Sequence, residues 1–162
     1  MTAPKLAAAM TAPDPLTPQQ VAEAVRDSMF AGDRASQALG MSVEAIAPGH
    51  ATLRMTVRED MLNGHRICHG GLITTLADSA FAFACNSYNE LTVASSLSVD
   101  LVAPAREGDV LTAQATPVNR AGRTGVYDMV VTNQRGERVA FVRGRSYTVK
   151  GKPVVELPGA SA

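Results

Sequence analysis

One pair of glycines and one carboxylate interrupt an apolar segment of helix length, CHGGLITTLADSAFAFAC at residues 68–85. Gly70 and Gly71 lie near its start, where a loop would give way to a helix. The first backbone N–H groups of a helix have no partner within the helix, and glycine lets a substrate carbonyl approach them. Such donors stabilise the oxyanion of a carbonyl under attack, so the glycines predict an oxyanion hole.

Asp78 predicts the second part of an acyl-transfer site. Aspartate is a poor residue for the middle of a helix and is rarely buried without a partner. No Lys or Arg lies between Cys68 and Tyr88, so an ion pair within the helix does not explain it. Burial raises a carboxyl pKa toward a range useful for a base or nucleophile. Structural explanations stay open: close packing or a tight turn for the glycines, and contact with solvent or a buried water for Asp78.

The spacing of these residues predicts two copies of the chain. Gly70 and Asp78 are eight residues apart, which is roughly 12 Å along one helix at about 1.5 Å per residue. A reacting atom must lie about 3 Å from both the oxyanion donor and the base or nucleophile. One helix cannot satisfy both distances, so we expect a homodimer in which Gly70 of one copy meets Asp78 of the other.

The flanking sequence predicts the elements that position these residues. Thr17 and Pro18 are typical of the N-cap and first residue of a short amphipathic helix, with Val21, Ala24, Val25 and Met29 on one stripe. The run from Leu72 to Cys85 predicts a buried helix of four to five turns. Period-two alternation predicts strands in six segments: 39–49, 50–57, 92–104, 109–119, 125–134 and 138–149.

This order predicts an α+β hotdog fold. Strands joined by short turns are antiparallel, and a single curved sheet of five to six strands can wrap around one long central helix. A short N-terminal helix completes the arrangement. We expect one domain over residues 17–150, with disordered tails at 1–16 and 151–162.

Composition excludes several classes of partner. The 15 basic and 15 acidic residues balance, and only 4% of residues are aromatic, which argues against a nucleic-acid platform. No stretch of about eighteen residues is free of charge and apolar enough for a membrane span, because Asp78 breaks residues 70–85. Two cysteines and no secretion signal favour a reducing, cytoplasmic location.

Metal and triad chemistry are poorly supported. His65, Cys68, His69 and Cys85 match no complete zinc spacing, so we expect no metal. No G-x-S-x-G segment surrounds Ser79, and Cys68 has no evident base partner.

Three blocks resemble a known family: MLNGHRICHGGLITTLADSAFAFACNSYN at 61–89, VASSLSVDLVAPAREGD at 93–109 and RTGVYDMVVTNQ at 123–134. Together they closely resemble the PaaI-type hotdog acyl-CoA thioesterases of phenylacetate degradation. The resemblance runs from about residue 24 to residue 149 and joins several motifs at matching spacing.

The resemblance implies a role for each matching residue. Asp78 corresponds to the catalytic carboxylate, acting as nucleophile or as general base toward water. Gly70 corresponds to the glycine whose N–H polarises the thioester carbonyl, and Asn63 to the asparagine that positions water or the acyl group. His69 corresponds to a position close to the site. In the family the carboxylate and the Asn-Gly pair come from opposite subunits.

The resemblance also implies the reaction and its partners. The substrate would be an aryl-acetyl-CoA such as (hydroxy)phenylacetyl-CoA or a related ring-hydroxylated thioester, with no cofactor, in a dimer of dimers. Two alternatives stay open: a non-catalytic acyl-CoA sensor, and a hotdog hydratase or dehydratase. Gly71 is a candidate substrate contact, and Met61, Leu62, Phe81 and Ala82 are candidates to border the acyl group. Arg106, Arg120, Arg123 or Arg145, with Arg123 preferred, are candidates for the CoA phosphates.

Overall fold

The computed structural model describes residues 15–158, so the calls on residues 1–14 and 159–162 lie outside the described part of the chain. The helices are α1 (Pro18–Gly32), α2 (Arg34–Ala38) and α3 (Gly70–Asn86), and a 3-10 turn spans Glu59–Met61. The strands are β1 (Ser42–Ala47), β2 (His50–Thr56), β3 (Thr92–Leu101), β4 (Val110–Ala121), β5 (Thr124–Thr132) and β6 (Arg138–Thr148).

The six strands form one antiparallel sheet in the order β1-β2-β4-β5-β6-β3. Helix α3 packs against the sheet and contacts all six strands. The predicted hotdog architecture of a six-stranded sheet around one long helix, with a short N-terminal helix, is confirmed. Strands β1 and β3 form the two edges.

Small residues let α3 lie close to the sheet. Ala77, Ala80 and Ala84 are fully buried on the helix, and their short side chains leave room for the strands. Phe81 fills the remaining space by packing against the ring of Tyr127, with 5.4 Å between the ring centroids. Gly144 on β6 is required beneath this ring, since a Cβ there would lie 2.8 Å from the Phe81 ring.

Helix α1 begins where the sequence predicts. The Thr17 hydroxyl accepts a hydrogen bond from the Gln20 N–H at 3.2 Å, and the Gln20 side chain accepts one from the Thr17 N–H at 2.8 Å. This reciprocal capping box satisfies two otherwise unpaired donors. The helix covers β1 and α3, but its fully buried residues are Ala22 and Val25 rather than the whole predicted stripe.

Two short segments differ from the sequence expectations. Helix α2 was not predicted; its start is capped by the Asp33 carboxylate, which accepts a hydrogen bond from the Ser36 N–H at 3.0 Å. Residues 151–158 were expected to be disordered, but they fold back on the loop after α3. Asn89 holds them there through hydrogen bonds to the backbone of Val154 and Val155.

Candidate active site

A closed loop carries Asn63 to the start of α3. The Asn63 Oδ1 accepts hydrogen bonds from the N–H groups of His65 at 2.9 Å and Ile67 at 3.4 Å. The Asn63 N–H donates to the Ile67 carbonyl at 2.8 Å, and Arg66 adopts the left-handed region with φ 56°. The side-chain oxygen therefore shapes the loop, while the Nδ2 group donates no hydrogen bond within residues 15–158.

The base of this loop is fixed to its neighbours. Leu62 and Cys68 form an isolated antiparallel bridge, and the His69 N–H donates to the Met61 carbonyl at 2.9 Å. The Cys68 N–H donates to the Ala105 carbonyl at 2.8 Å. These bonds place Asn63, His69 and the helix start at the same end of the molecule.

His69 caps α3 and decides which helix donor remains free. Its Nδ1 accepts a hydrogen bond from the Gly71 N–H at 3.1 Å, so the predicted substrate contact Gly71 has its N–H already engaged. The Gly70 N–H has no acceptor within the described residues. It lies at the positive end of the helix dipole and is the donor that remains for an oxyanion.

Gly70 also has a packing reason to be glycine. A Cβ at this position would collide with the side chain of Leu101, the last residue of β3. The Thr74 hydroxyl donates to the Gly70 carbonyl at 2.9 Å and tightens the first turn. The packing explanation of this glycine therefore holds, and the predicted catalytic one is compatible with it.

Asp78 is half-buried in the middle of α3, and its Oδ1 has no hydrogen-bond partner within residues 15–158. Burial raises the pKa of this carboxyl above the ordinary value of 3.8. A carboxylate that is neither paired with a cation nor hydrogen-bonded retains its basicity. This is the state required of a general base or nucleophile.

A cavity of about 310 Å³ opens beside Asp78. Asp78 is the one ionisable group among the described residues that line it. Most of the wall is apolar, with two polar residues at one side: Met29, Phe81, Ala82, Leu91, Val93, Ala94 and Val154 are apolar, and Asn86 and Thr92 are polar. The cavity thus offers an acyl group a hydrocarbon surface next to a single carboxylate.

Two of the four predicted acyl contacts lie in this cavity. Phe81 and Ala82 line it together with Asp78, whereas Met61 is 2% exposed and belongs to the hydrophobic core. Leu62 packs against that core and does not line the cavity. Both residues precede the helix start, at the base of the Asn63 loop, whereas the cavity lies beside α3 from Asp78 onward.

Within one chain the structure does not unite the predicted catalytic residues. Asn63, His69 and Gly70 gather at the start of α3, whereas Asp78 is the ninth residue of that helix. The straight helix keeps the Gly70 N–H and the Asp78 carboxylate roughly 12 Å apart.

Comparison with known proteins identifies the family. A family model described as the thioesterase superfamily matches residues 65–140. The acyl-coenzyme A thioesterase PaaI of Escherichia coli is 43% identical over 124 residues, which are 76% of this chain and 89% of that protein. The chain belongs to the thioesterase superfamily. The predicted resemblance to PaaI-type thioesterases is thereby confirmed.

Solved structures of the thioesterase superfamily share the fold. The E. coli PaaI protein, from the phenylacetic acid degradation operon, matches with a TM-score of 0.82 at 40% identity, covering 84% of this chain and 99% of that chain. A mutant PaaI of Thermus thermophilus matches with a TM-score of 0.70 at 38% identity, covering 72% of this chain and 100% of that chain. A Streptococcus mutans protein bound to acetyl-CoA matches with a TM-score of 0.66 at 25% identity, covering 69% of this chain and 90% of that chain.

In this thioesterase-superfamily chain neither thiol is suited to nucleophilic attack. Burial raises the pKa of Cys85 to about 12, with a smaller contribution from the charge of Asp78, and burial also raises the pKa of Cys68. Within residues 15–158 no three His, Cys, Asp or Glu side chains are grouped closely enough to hold a metal ion. No helix of the same range is long and apolar enough to span a membrane.

Of the four arginines considered for CoA phosphates, Arg123 lies in the most suitable surroundings. It lines a cavity of about 250 Å³ together with Lys150 and Lys152, neither of which belongs to a recognisable sequence motif. The other three lie elsewhere: Arg120 stacks on the Tyr88 ring and pairs with Glu90, Arg145 lines the outer face of the sheet, and Arg106 follows β3 in a loop.

The unpartnered carboxylate predicts a stability effect. The raised pKa means that the folded protein binds this proton more tightly than the unfolded chain. The free energy of unfolding therefore falls as pH rises from 3.8 through the raised pKa of Asp78, and the loss persists above it. We expect Asp78→Asn to melt at a higher temperature than wild type at pH 7, by about 2–4 °C for each kcal/mol relieved, and to show no gain below pH 3.8.

Asp128→Asn provides the opposite control. Two hydrogen bonds of 2.7 Å from the Arg143 guanidinium hold the pKa of Asp128 below its ordinary value. Its replacement should lower the melting temperature at pH 7. A lower melting temperature for Asp78→Asn at pH 7 would show that the carboxylate has a stabilising partner in solution.

Proposed function

We propose that the protein hydrolyses acyl-CoA thioesters to free acid and CoA, with an aryl-acetyl group such as phenylacetyl or hydroxyphenylacetyl as the acyl group. The observation that carries this proposal is the basic, unpartnered Asp78 carboxylate in an apolar cavity. The similarity to E. coli PaaI, an acyl-coenzyme A thioesterase, supports the CoA ester. The phenylacetic acid degradation operon of that relative supports the aryl-acetyl group.

A thioester suits a site with few catalytic groups. As general base, Asp78 takes a proton from water, and the resulting hydroxide adds to the thioester carbonyl. The Gly70 N–H donates to the oxyanion, and the Asn63 Nδ2 group positions the water or the acyl oxygen. Collapse of the intermediate expels the CoA thiolate, which recovers the proton from Asp78. As nucleophile, the Asp78 carboxylate would instead add to the thioester carbonyl and expel the CoA thiolate, which forms a mixed anhydride. Water then hydrolyses the anhydride to the free acid and restores the Asp78 carboxylate.

The edge strand β3 supports a site shared between two copies. Gly70 packs against Leu101 at the end of β3, whereas Asp78 shares its cavity with Val93 and Ala94 near the beginning. If two β3 edges pair antiparallel about a twofold axis, the end of one strand lies beside the beginning of the other. Gly70 and Asn63 of one copy then approach Asp78 of the second copy.

The exposed side chains of β3 support the same pairing. Val93 is 49% exposed and Leu101 is 52% exposed in the single chain. Pairing would cover both residues and satisfy the free backbone groups of the edge. The stacking of two such dimers into a tetramer follows from the family resemblance.

The cavity around Arg123 is the proposed site for the CoA phosphates. Three cations, Arg123, Lys150 and Lys152, line it and are free of ion pairs within residues 15–158, whereas the one carboxylate among its described lining residues, Glu90, is paired with Arg120. It adjoins the Asp78 cavity, since Thr92 of one and Thr148 of the other are hydrogen-bonded at 3.0 Å. An acyl group beside Asp78 could therefore extend its CoA portion toward these cations.

Release of free thiol from phenylacetyl-CoA tests the reaction. We expect hydrolysis by wild type and a loss of about 10²–10⁴-fold in Asp78→Asn, because the substitution removes the base without changing shape. Asp27→Asn, at an exposed carboxylate paired with Arg26 on α1, is the control and should retain activity. The acid limb of kcat/KM should lie above the ordinary Asp pKa of 3.8.

Three other outcomes would contradict parts of the proposal. Equal turnover in wild type and Asp78→Asn would remove Asp78 from the mechanism. Binding of acyl-CoA without thiol release would favour the sensor. Addition of water to an enoyl-CoA with the thioester intact would favour the hydratase.

Co-expression of two inactive variants tests the shared site. Asn63→Asp keeps the oxygen that shapes its loop but loses the Nδ2 donor, whereas Asp78→Asn loses the base. In a random mixture half of the dimers contain both variants, and each of these has one intact site if the residues come from opposite chains. The mixture should therefore recover about a quarter of wild-type activity. No recovery, with mixed dimers demonstrated by two affinity tags, would place the site within one chain.

Paired substrates test the phosphate site. Arg123→Gln and Lys152→Gln should each raise KM for phenylacetyl-CoA about five- to tenfold, because each removes one charge-assisted contact. Hydrolysis of phenylacetyl-N-acetylcysteamine, which lacks the nucleotide, should be unchanged. Arg138→Gln, at an arginine over the Phe141 ring, is the control. Equal effects on both thioesters would contradict a role in phosphate binding.

A further inference from the structure

The C-terminal strap, defined as residues 149–157, is fixed to the loop that follows α3. The Val149 N–H donates to the Leu91 carbonyl, and the Leu91 N–H donates to the Lys152 carbonyl, both at 2.8 Å. Further along, one side chain replaces these backbone bonds. Asn89 accepts from the N–H groups of Val154 at 3.0 Å and Val155 at 2.9 Å, and donates to the Val155 carbonyl at 2.9 Å.

Asn89 is suited to this clamp by its own backbone. It adopts the left-handed region with φ 60°, which asparagine tolerates better than most residues. The side chain is part-buried in all three hydrogen bonds. A small number of groups thus determines the position of the whole strap.

The clamp has a direct consequence for the cavity beside Asp78. Val154 lines that cavity, whereas its neighbour Val155 does not. Both valines are half-buried, so they differ in where they point rather than in exposure. Val154 is therefore a part of the cavity wall whose position depends on Asn89.

The strap follows β6, the last strand of the sheet. The cavity wall thus combines helix α3, which carries the carboxylate, with a segment from outside the sheet. A change in this segment can alter the space beside Asp78 without altering the carboxylate or the helix start.

We propose that Val154, held by the Asn89 clamp, determines how bulky an acyl group the protein accepts beside Asp78. This inference rests on the proposed thioester hydrolysis and adds the residue that selects among substrates. The valine side chain closes the cavity toward the strap. Acyl groups with a single ring fit in front of it, and larger ring systems are excluded by contact with its methyl groups.

Substitution of the two strap valines tests the proposal. The measurement is kcat/KM for acetyl-, phenylacetyl- and naphthylacetyl-CoA. We expect Val154→Ala to raise the naphthylacetyl-to-phenylacetyl ratio about tenfold or more, because pocket contacts of this size change selectivity by that amount. Val154→Phe should lower kcat/KM for phenylacetyl-CoA while acetyl-CoA hydrolysis is retained. Val155→Ala removes the same atoms from the same strap and should leave all ratios unchanged.

Variants of the clamp provide a second test that leaves the cavity residues intact. Asn89→Gly permits the left-handed backbone but removes all three hydrogen bonds, so it should broaden selectivity in the same direction as Val154→Ala. Asn89→Asp keeps an acceptor for the two N–H groups and should lie closer to wild type. Thermal melting of each variant establishes that the domain remains folded.

The outcomes separate this inference from the proposed function. Unchanged ratios in folded, active Val154 and Asn89 variants would overturn the role of the strap and leave hydrolysis intact. An equal rise in KM for all three thioesters would also overturn it, since the strap would then contact the common CoA portion. Failure of wild type to release thiol from any acyl-CoA would instead overturn the proposed function.

Discussion

The structure depends on burying α3 against the sheet while leaving one carboxylate on that helix uncompensated. Alanines bring the helix close to the strands, and Phe81 fills the space above Gly144. Each of these contacts stabilises the fold through buried apolar area. Asp78 opposes them, because its Oδ1 loses water and gains no partner within the described residues. The free energy gained by burying the apolar core must therefore exceed the cost of desolvating the Asp78 carboxylate. The same burial raises the pKa of that carboxyl.

The same helix organises the other half of the chemistry through its first turn. His69 engages one of the free N–H groups, so the capping contact determines which donor faces a substrate. Because the cap and the Asn63 loop are joined by backbone hydrogen bonds, the donor and the asparagine keep a fixed relation. The rise of the helix then separates both from Asp78. In the proposed mechanism, one rigid element thus accounts for the composition of each half-site and for the second copy.

Local patterns predicted the elements of the fold and the residues on α3 because their signals are contained in short windows. Period-two alternation identified all six strands, and a charge in an apolar helix identified Asp78. The cavity wall was only partly predictable, since Met29 and Val154 come from opposite ends of the domain and have no shared motif. The Asn89 clamp was missed for a related reason. An asparagine in a loop has no signal that distinguishes a turn residue from one that anchors a distant segment.

The exposed edge of β3 has a consequence for handling the protein at low concentration. A ten-residue edge strand with apolar ends is a template on which any extended chain can add. In the proposed dimer an identical copy covers this edge and protects the sheet from such additions. Dilution would then lower the melting temperature by mass action, because it favours free chains with an open edge. Resistance to aggregation would in this sense be a property of the proposed assembly, residing on the same strand that brings the two half-sites together.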